Sequence, residues 1–127
     1  VGPDGVPSAS RCAEIIVNER HDFYDFEAKY LDDSATLVVP AELPEGIEAR
    51  VQEMAVRAFD ALACDGLARV DFFVTADGEV VLNEVNTMPG FTDISMYPRM
   101  WGATGVAYPE LVDRLVADAL RKGTGLH

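Results

Sequence analysis

Residues 70–90, VDFFVTADGEVVLNEVNTMPG, constrain this chain more than any other stretch, because Asp77-Gly78 stands between two apolar runs. Asp-Gly flanked by alternating apolar residues is a strong hairpin signal, since a two-residue type I′ turn needs positive φ at both central positions. With Asp77 and Gly78 at those positions, Ala76 pairs with Glu79, Asp71 faces Glu84 and Arg69 faces Asn86. Side chains alternate faces with period two, so these last four project from one side of the ladder. Val70, Phe72, Val74, Val81 and Val85 are then expected to cover the other side and meet the core.

Two carboxylates directly opposite each other destabilise a sheet unless something neutralises them. A divalent cation would do so. Carboxylate and amide oxygens are the hard ligands Mg²⁺ prefers, and Mg²⁺ commonly takes one or two protein carboxylates and completes its shell with water and substrate phosphates. Asp71, Glu84 and Asn86 therefore read as a phosphate-associated metal site, with Arg69 beside them to stabilise a further anion. The plainer alternative is a polar sheet face that meets water.

The rest of the chain reads as one domain of 127 residues, 49% hydrophobic, large enough for a single core. A net charge of −12 disfavours nucleic acid and anionic membrane surfaces as partners. No apolar run approaches the roughly 20 residues that span a bilayer. Cys12 and Cys64, far apart and without metal-type spacing, are expected to be reduced thiols packed as small apolar residues in a cytosolic protein. The opening VGPDGVPSAS, mid-turn and without an initiator Met, is expected to belong to a longer chain.

Residues 1–10 read as a loop or hairpin tip, 13–17 as a strand, 18–33 as an ordered loop with a short strand near its end, and 36–39 as a β-branched run stopped by Pro40. Ile47, Val51, Met54, Ala55, Ala58, Phe59 and Leu62 recur at three- and four-residue intervals and predict a helix over 45–64, with Gly66 as its left-handed cap. A loop over 87–94 follows the hairpin, then a short helix capped by Ser95 and running toward Gly102. The last helix starts near Pro109, carries Leu111, Val112, Leu115, Val116, Ala119 and Leu120 as its apolar stripe, and closes at Arg121, Lys122 and Gly123.

The runs FYDFEAKYLDD, GLARVDFFV and VLNEVNTMPGFTDISMYPRMWGATG together resemble the C-terminal part of the D-alanine–D-alanine ligase family, enzymes of the ATP-grasp fold. The resemblance covers nearly the whole chain. It implies an α+β fold, the C-terminal portion of an ATP-grasp domain with antiparallel sheet packed against helices. It also implies ligation of two D-alanines to D-alanyl-D-alanine through an acyl phosphate, for peptidoglycan synthesis in the cytoplasm, by a homodimeric parent enzyme. ATP is then the co-substrate, and two Mg²⁺ or Mn²⁺ ions are held by Asp71, Glu84 and Asn86.

By the same resemblance, Arg69 and the backbone N–H of Gly90 stabilise the oxyanion of the tetrahedral intermediate. Ser95 and Met96 hold the carboxylate of the second D-alanine, and Tyr30 lies near that substrate. Lys29 contacts the transferred phosphate. Phe23 and Phe73 wall the adenine. Since the family's N-terminal and central domains are not recognisable in this sequence, the isolated chain is expected to be inactive. The rival readings are another ATP-grasp carboxylate–amine ligase and a non-catalytic domain that binds divalent cations.

Overall fold

The computed structural model describes residues 6–17 and 35–123. Two antiparallel strand pairs and three helices make up these segments, in the order β1 (Glu14–Val17), β2 (Ala35–Val38), α1 (Ile47–Ala61), β3 (Arg69–Val74), β4 (Val80–Asn86), α2 (Met96–Ala103) and α3 (Tyr108–Lys122). The arrangement is α+β, as the family resemblance implies. The reading of residues 18–33 as an ordered loop lies outside the described residues, as do Phe23, Lys29 and Tyr30.

In the first pair Glu14 stands opposite Val38 and Ile16 opposite Thr36. The Ala41 N–H continues the pairing by donating to the Cys12 carbonyl at 2.7 Å. Helix α1 ties this edge down: Glu48 Oε2 accepts the Cys12 N–H at 3.0 Å, and Gln52 Nε2 donates to the Ser10 carbonyl at 2.9 Å. The Arg11 N–H meanwhile reaches Thr104 Oγ1 at 2.8 Å, just past the end of α2. Both cysteines are free and half-buried. Burial first, and the Glu48 carboxylate second, push the Cys12 thiol up to about 11 despite nearby Arg11, so it stays protonated at neutral pH.

Helix α1 ends earlier than its apolar spacing predicts. Its C-cap is Leu62 and the left-handed residue just after it is Ala63 at φ +53°, with Ala63 N–H bonded to the Asp60 carbonyl and Cys64 N–H to the Phe59 carbonyl, both at 3.0 Å. These are the two bonds of a Schellman motif, made by an alanine in the left-handed position where glycine is the common choice. Gly66, expected as the cap, takes a positive φ of +72° further on, in the turn that leads to β3.

The core lies between α2 and α3. Tyr97, Trp101, Val106 and Leu111 are buried together, with Leu67, Phe91 and Leu115 packed around them. Burial raises the Tyr97 phenol above its ordinary value, although a bond involving Trp101 opposes the shift. In α2, Pro98 occupies the third helical position, where the missing N–H has no partner to lose. Helix α1 lies against the β3–β4 hairpin, and Ile47 reaches to the turn at Gly78.

The apolar stripe predicted for α3 is wider than the buried face. Val116 is 53% and Leu120 is 77% exposed, whereas Asp118 is only 5% exposed. Leu111, Leu115, Asp118 and Lys122 form one row at helical spacing, so Asp118 takes an inward position and is neutralised in place. Arg121 pairs with it, and Lys122 bridges it at 3.1 Å to Asp65, which lies in the loop after α1.

Burial alone would raise the Asp118 carboxyl; bonds and charge from Lys122 and then Arg121 outweigh it and hold the group below the ordinary carboxylate value. A carboxyl depressed in the folded state stabilises the fold above its unfolded value of 3.8, and that contribution is lost as pH falls through the lower folded value. The same bridge raises Lys122, chiefly through its bond to Asp65, so its contribution holds below the unfolded value of 10.5 and fades above it. Because both cations are well exposed, Asp118→Asn should cost only about 1 kcal/mol at pH 7. The gap in melting temperature between the two proteins should close below about pH 3.8. A gap of constant size down to pH 2 would exclude this ion pair as its source.

Candidate functional site

Strands β3 and β4 place Arg69 opposite Asn86, Val70 opposite Val85 and Asp71 opposite Glu84, as the hairpin pattern predicts. The turn that produces this register differs from the expected one. Gly78 N–H bonds the Thr75 carbonyl at 3.0 Å and Thr75 N–H bonds the Glu79 carbonyl at 2.9 Å, so the loop has three residues, Ala76, Asp77 and Gly78. Gly78 alone takes a positive φ, +86°, and Thr75 Oγ1 accepts the Glu79 N–H at 2.9 Å. A type I turn closed by a left-handed glycine has replaced the two-residue turn.

A three-residue loop shifts the pairing by one, to Val74 opposite Val80, Phe73 opposite Val81 and Phe72 opposite Leu82. The ladder then skips Asn83, and this bulge restores the register at Asp71 and Glu84. Two offsets cancel where the acidic pair stands. Val81 is consequently not on the core side, as the simple alternation has it, but faces Phe73 on the same side as Asp71; Val80 and Leu82 take the other side.

On the acidic face the question of repulsion has an internal answer. Arg69 Nε donates to Asp71 Oδ1 and Nη2 to Oδ2, both at 3.0 Å, a two-pronged bond in which the planar guanidinium matches the carboxylate. The same Nη2 lies 3.8 Å from Glu84 Oε1. Arg69 is 12% exposed at its side chain, Asp71 21% and Glu84 44%, so the pair grades from sheltered to open. The guanidinium thus offsets part of the repulsion between the facing acids, alongside the divalent cation expected to neutralise them. Phe73, next on this face, is 60% exposed.

Asn86 ends β4 and opens the following loop, its Oδ1 accepting the Met88 N–H at 2.9 Å. Further along, Ser95 Oγ accepts the Thr92 N–H at 2.9 Å and shares a hydrogen with Thr92 Oγ1 at 2.7 Å. Ser95 stands at the backbone N-cap of α2, yet its side chain makes no capping bond; its hydroxyl is spent on the loop. A Cβ at Gly90 would come within 3.3 Å of that hydroxyl, tighter than ordinary contact, so glycine permits the close fold of residues 90–95. Met96, half-buried, is the first residue of α2.

The structure therefore makes two groups of the predicted residues: Arg69, Asp71 and Glu84 in mutual contact, and Gly90 with Ser95. Asn86 links them along the chain. Tyr108, whose hydroxyl donates to the Phe91 carbonyl at 3.0 Å, joins the second group and was absent from the sequence reading. Preceding Pro109 at a helix start, it carries no local signal of a contact made 17 residues back.

Among the described residues no cluster of three or more His, Cys, Asp or Glu could hold a metal. Two carboxylates and an amide on one face nevertheless suit Mg²⁺, which commonly takes one or two carboxylates and fills its octahedron with water and phosphate oxygens. Each Asp71 oxygen accepts one bond from Arg69 and retains further lone-pair capacity. The donor set fits a hard cation.

The family model described as D-ala D-ala ligase C-terminus matches residues 1–117. The D-alanine–D-alanine ligase of Streptomyces griseus is 62% identical over 120 residues, which cover 94% of this chain and 30% of that protein. The ligase of Nocardia farcinica is 62% identical over 126 residues, 98% of this chain and 34% of that one. Among solved structures, the D-alanine–D-alanine ligase from Coxiella burnetii matches with a TM-score of 0.77 at 40% identity, covering 94% of this chain and 30% of its own. The chain spans about a third of the length of the curated relatives it matches.

Proposed function

This chain belongs to the D-alanine–D-alanine ligase family, whose C-terminal ATP-grasp portion it matches in fold, and we propose that the protein carrying it joins two D-alanines with ATP. The γ-phosphate of ATP passes to the carboxylate of the first D-alanine, giving an acyl phosphate and ADP. The amine of the second D-alanine attacks the acyl carbon, and the tetrahedral intermediate expels phosphate to leave D-alanyl-D-alanine, destined for peptidoglycan. The reaction takes place in the cytoplasm. The observation that carries this reading is the Arg69–Asp71–Glu84 cluster at the restored register of the hairpin, in a chain so similar to named ligases.

Asp71, Glu84 and Asn86 would hold Mg²⁺ or Mn²⁺, two ions in the family pattern, which supply charge neutralisation between the phosphates. Arg69, already sheltered and oriented, directs its guanidinium charge at the negative charge that develops on the reacting oxygens. The Gly90 N–H supplies a second donor to the oxyanion. Ser95 and Met96 seat the carboxylate of the second D-alanine, and Phe73, with its exposed ring, walls the nucleotide. Lys29, Tyr30 and Phe23 are assigned to phosphate, second substrate and adenine by the family resemblance. Because no side chain forms a covalent bond to substrate, the rate comes from positioning and electrostatics.

In the full-length protein, phosphate release with ATP and MgCl₂ should require D-alanine and should be matched by dipeptide, detected by chromatography. Glu84→Gln should lower it by about 10²-fold or more, the scale for losing electrostatic stabilisation of the transition state, here through a weakened hold on the metal. Nucleotide binding with Mg²⁺ but no D-alanine-dependent phosphate release would favour the cation-binding domain over the ligase. Full turnover in excess EDTA would remove the metal from the scheme.

A further inference from the structure

Phe91, which follows Gly90, is held at its ring and at its carbonyl. The ring, half-buried, lies 5.8 Å from that of Tyr97 and 5.5 Å from that of Tyr108, tilted against both. Its carbonyl accepts the Tyr108 hydroxyl at 3.0 Å. The N–H at the other end of the same peptide unit belongs to Thr92 and donates to Ser95 Oγ at 2.9 Å. A peptide unit is planar, so a bond at each end fixes the orientation of the whole plane. The Gly90 N–H lies two residues before that plane, in the 89–90 peptide, but Gly90 packs closely against Ser95 Oγ, which is itself one of the plane's two anchors.

Tyr108 can act as a fixed post because it is the first residue of α3, and α3 is pinned three residues later by Leu111, 1% exposed in the core. A group presented from a rigid element holds its partner more tightly than one presented from a loop. The commoner role of a half-buried tyrosine hydroxyl is to satisfy itself on whatever carbonyl is near. Here the carbonyl belongs to the peptide whose N–H bonds Ser95 Oγ, and this geometry gives the bond a consequence beyond packing.

We propose that Tyr108 is a positioning residue for the second half-reaction: through the Phe91 carbonyl it sets the 91–92 peptide plane, and with it the Ser95 hydroxyl that this plane's N–H bonds and against which Gly90 packs. The inference rests on the roles proposed above for Gly90 and Ser95. It predicts a defect confined to the second D-alanine and the oxyanion, with ATP binding untouched, because nothing in the bond reaches the hairpin acids.

The test is Tyr108→Phe in the full-length protein, which keeps the ring against Phe91 and removes only the O–H. The KM for the second D-alanine should rise about 3- to 10-fold and kcat fall by a similar factor, the scale of one lost hydrogen bond, while the KM for ATP stays within about twofold. Unchanged D-alanine kinetics overturn the inference, and so does an equal rise in both KM values, which would mean general loosening. Ser95→Ala, measured alongside, separates the two levels. If Ser95→Ala raises the D-alanine KM and Tyr108→Phe does not, only the role of Tyr108 fails. If Ser95→Ala leaves that KM unchanged, the assigned seat of the second D-alanine fails, and Tyr108 with it.

Discussion

Arg69→Ala is expected to lower turnover of the full-length protein by roughly 10²- to 10³-fold, or about 2.7–4 kcal/mol, the cost of losing one preorganised oxyanion donor. The KM for ATP should change little, since the guanidinium is proposed to act on charge that develops only in the transition state. The structure adds a second consequence. Arg69 is bonded through both prongs to Asp71 and stands 3.8 Å from Glu84, so its removal leaves two carboxylates facing across the ladder. In EDTA the variant should melt below the wild type, and Mg²⁺ should recover more of its stability than of the wild type's, because only the variant lacks the guanidinium beside the acidic pair. Arg69→Lys should recover little turnover, as an ammonium lacks the planar fork. Turnover within threefold of wild type, or a loss seen only in the KM for ATP, would make Arg69 a nucleotide-binding residue.

Trp101→Ala should cost about 3–5 kcal/mol, the range for truncating a large buried aromatic side chain. Trp101 is 6% exposed and sits with Tyr97, Val106 and Leu111 in the cluster that joins α2 to α3. Few other residues are as deeply buried among those described, so the cavity would open in the middle of the core. With total stabilities of small domains near 5–15 kcal/mol, roughly a fifth or more of the folding free energy would be lost. Urea unfolding followed by far-UV circular dichroism measures it without relying on the tryptophan itself. A shift below about 1 kcal/mol would show that the α2–α3 cluster can collapse around the missing ring.

The acidic pairing was legible although the turn was misread. Asp71 opposite Glu84 and Arg69 opposite Asn86 follow from a two-residue turn with strict alternation, and they also follow from a three-residue turn plus a bulge at Asn83. Asp77-Gly78 is compatible with both, because each places glycine at positive φ; they differ only in the φ of Asp77, which the residue name leaves open. The difference surfaces between the turn and the bulge, where Val81 joins Phe73 on the acidic side. At the end of α1 the same ambiguity went the other way. Glycine marked Gly66 as the cap, while the chain had already turned at Ala63, a position that local propensity disfavours.

Sequence by itself determined the elements whose signal is local: the period-two hairpin, the helices with their apolar spacing, and the residue types gathered on one face of the ladder. Periodicity reports that a face exists and which residues share it, because neighbouring side chains are fixed relative to each other by backbone geometry alone. Only the tertiary structure decided what each face meets. Lys122 reaching Asp65 across 57 positions and Tyr108 bonding Phe91 across 17 depend on where separate elements come to rest. Polar partners of this kind are chosen by proximity after packing, since a donor near the surface bonds whichever acceptor the core has brought within 3 Å or so. No spacing rule along the chain encodes that choice.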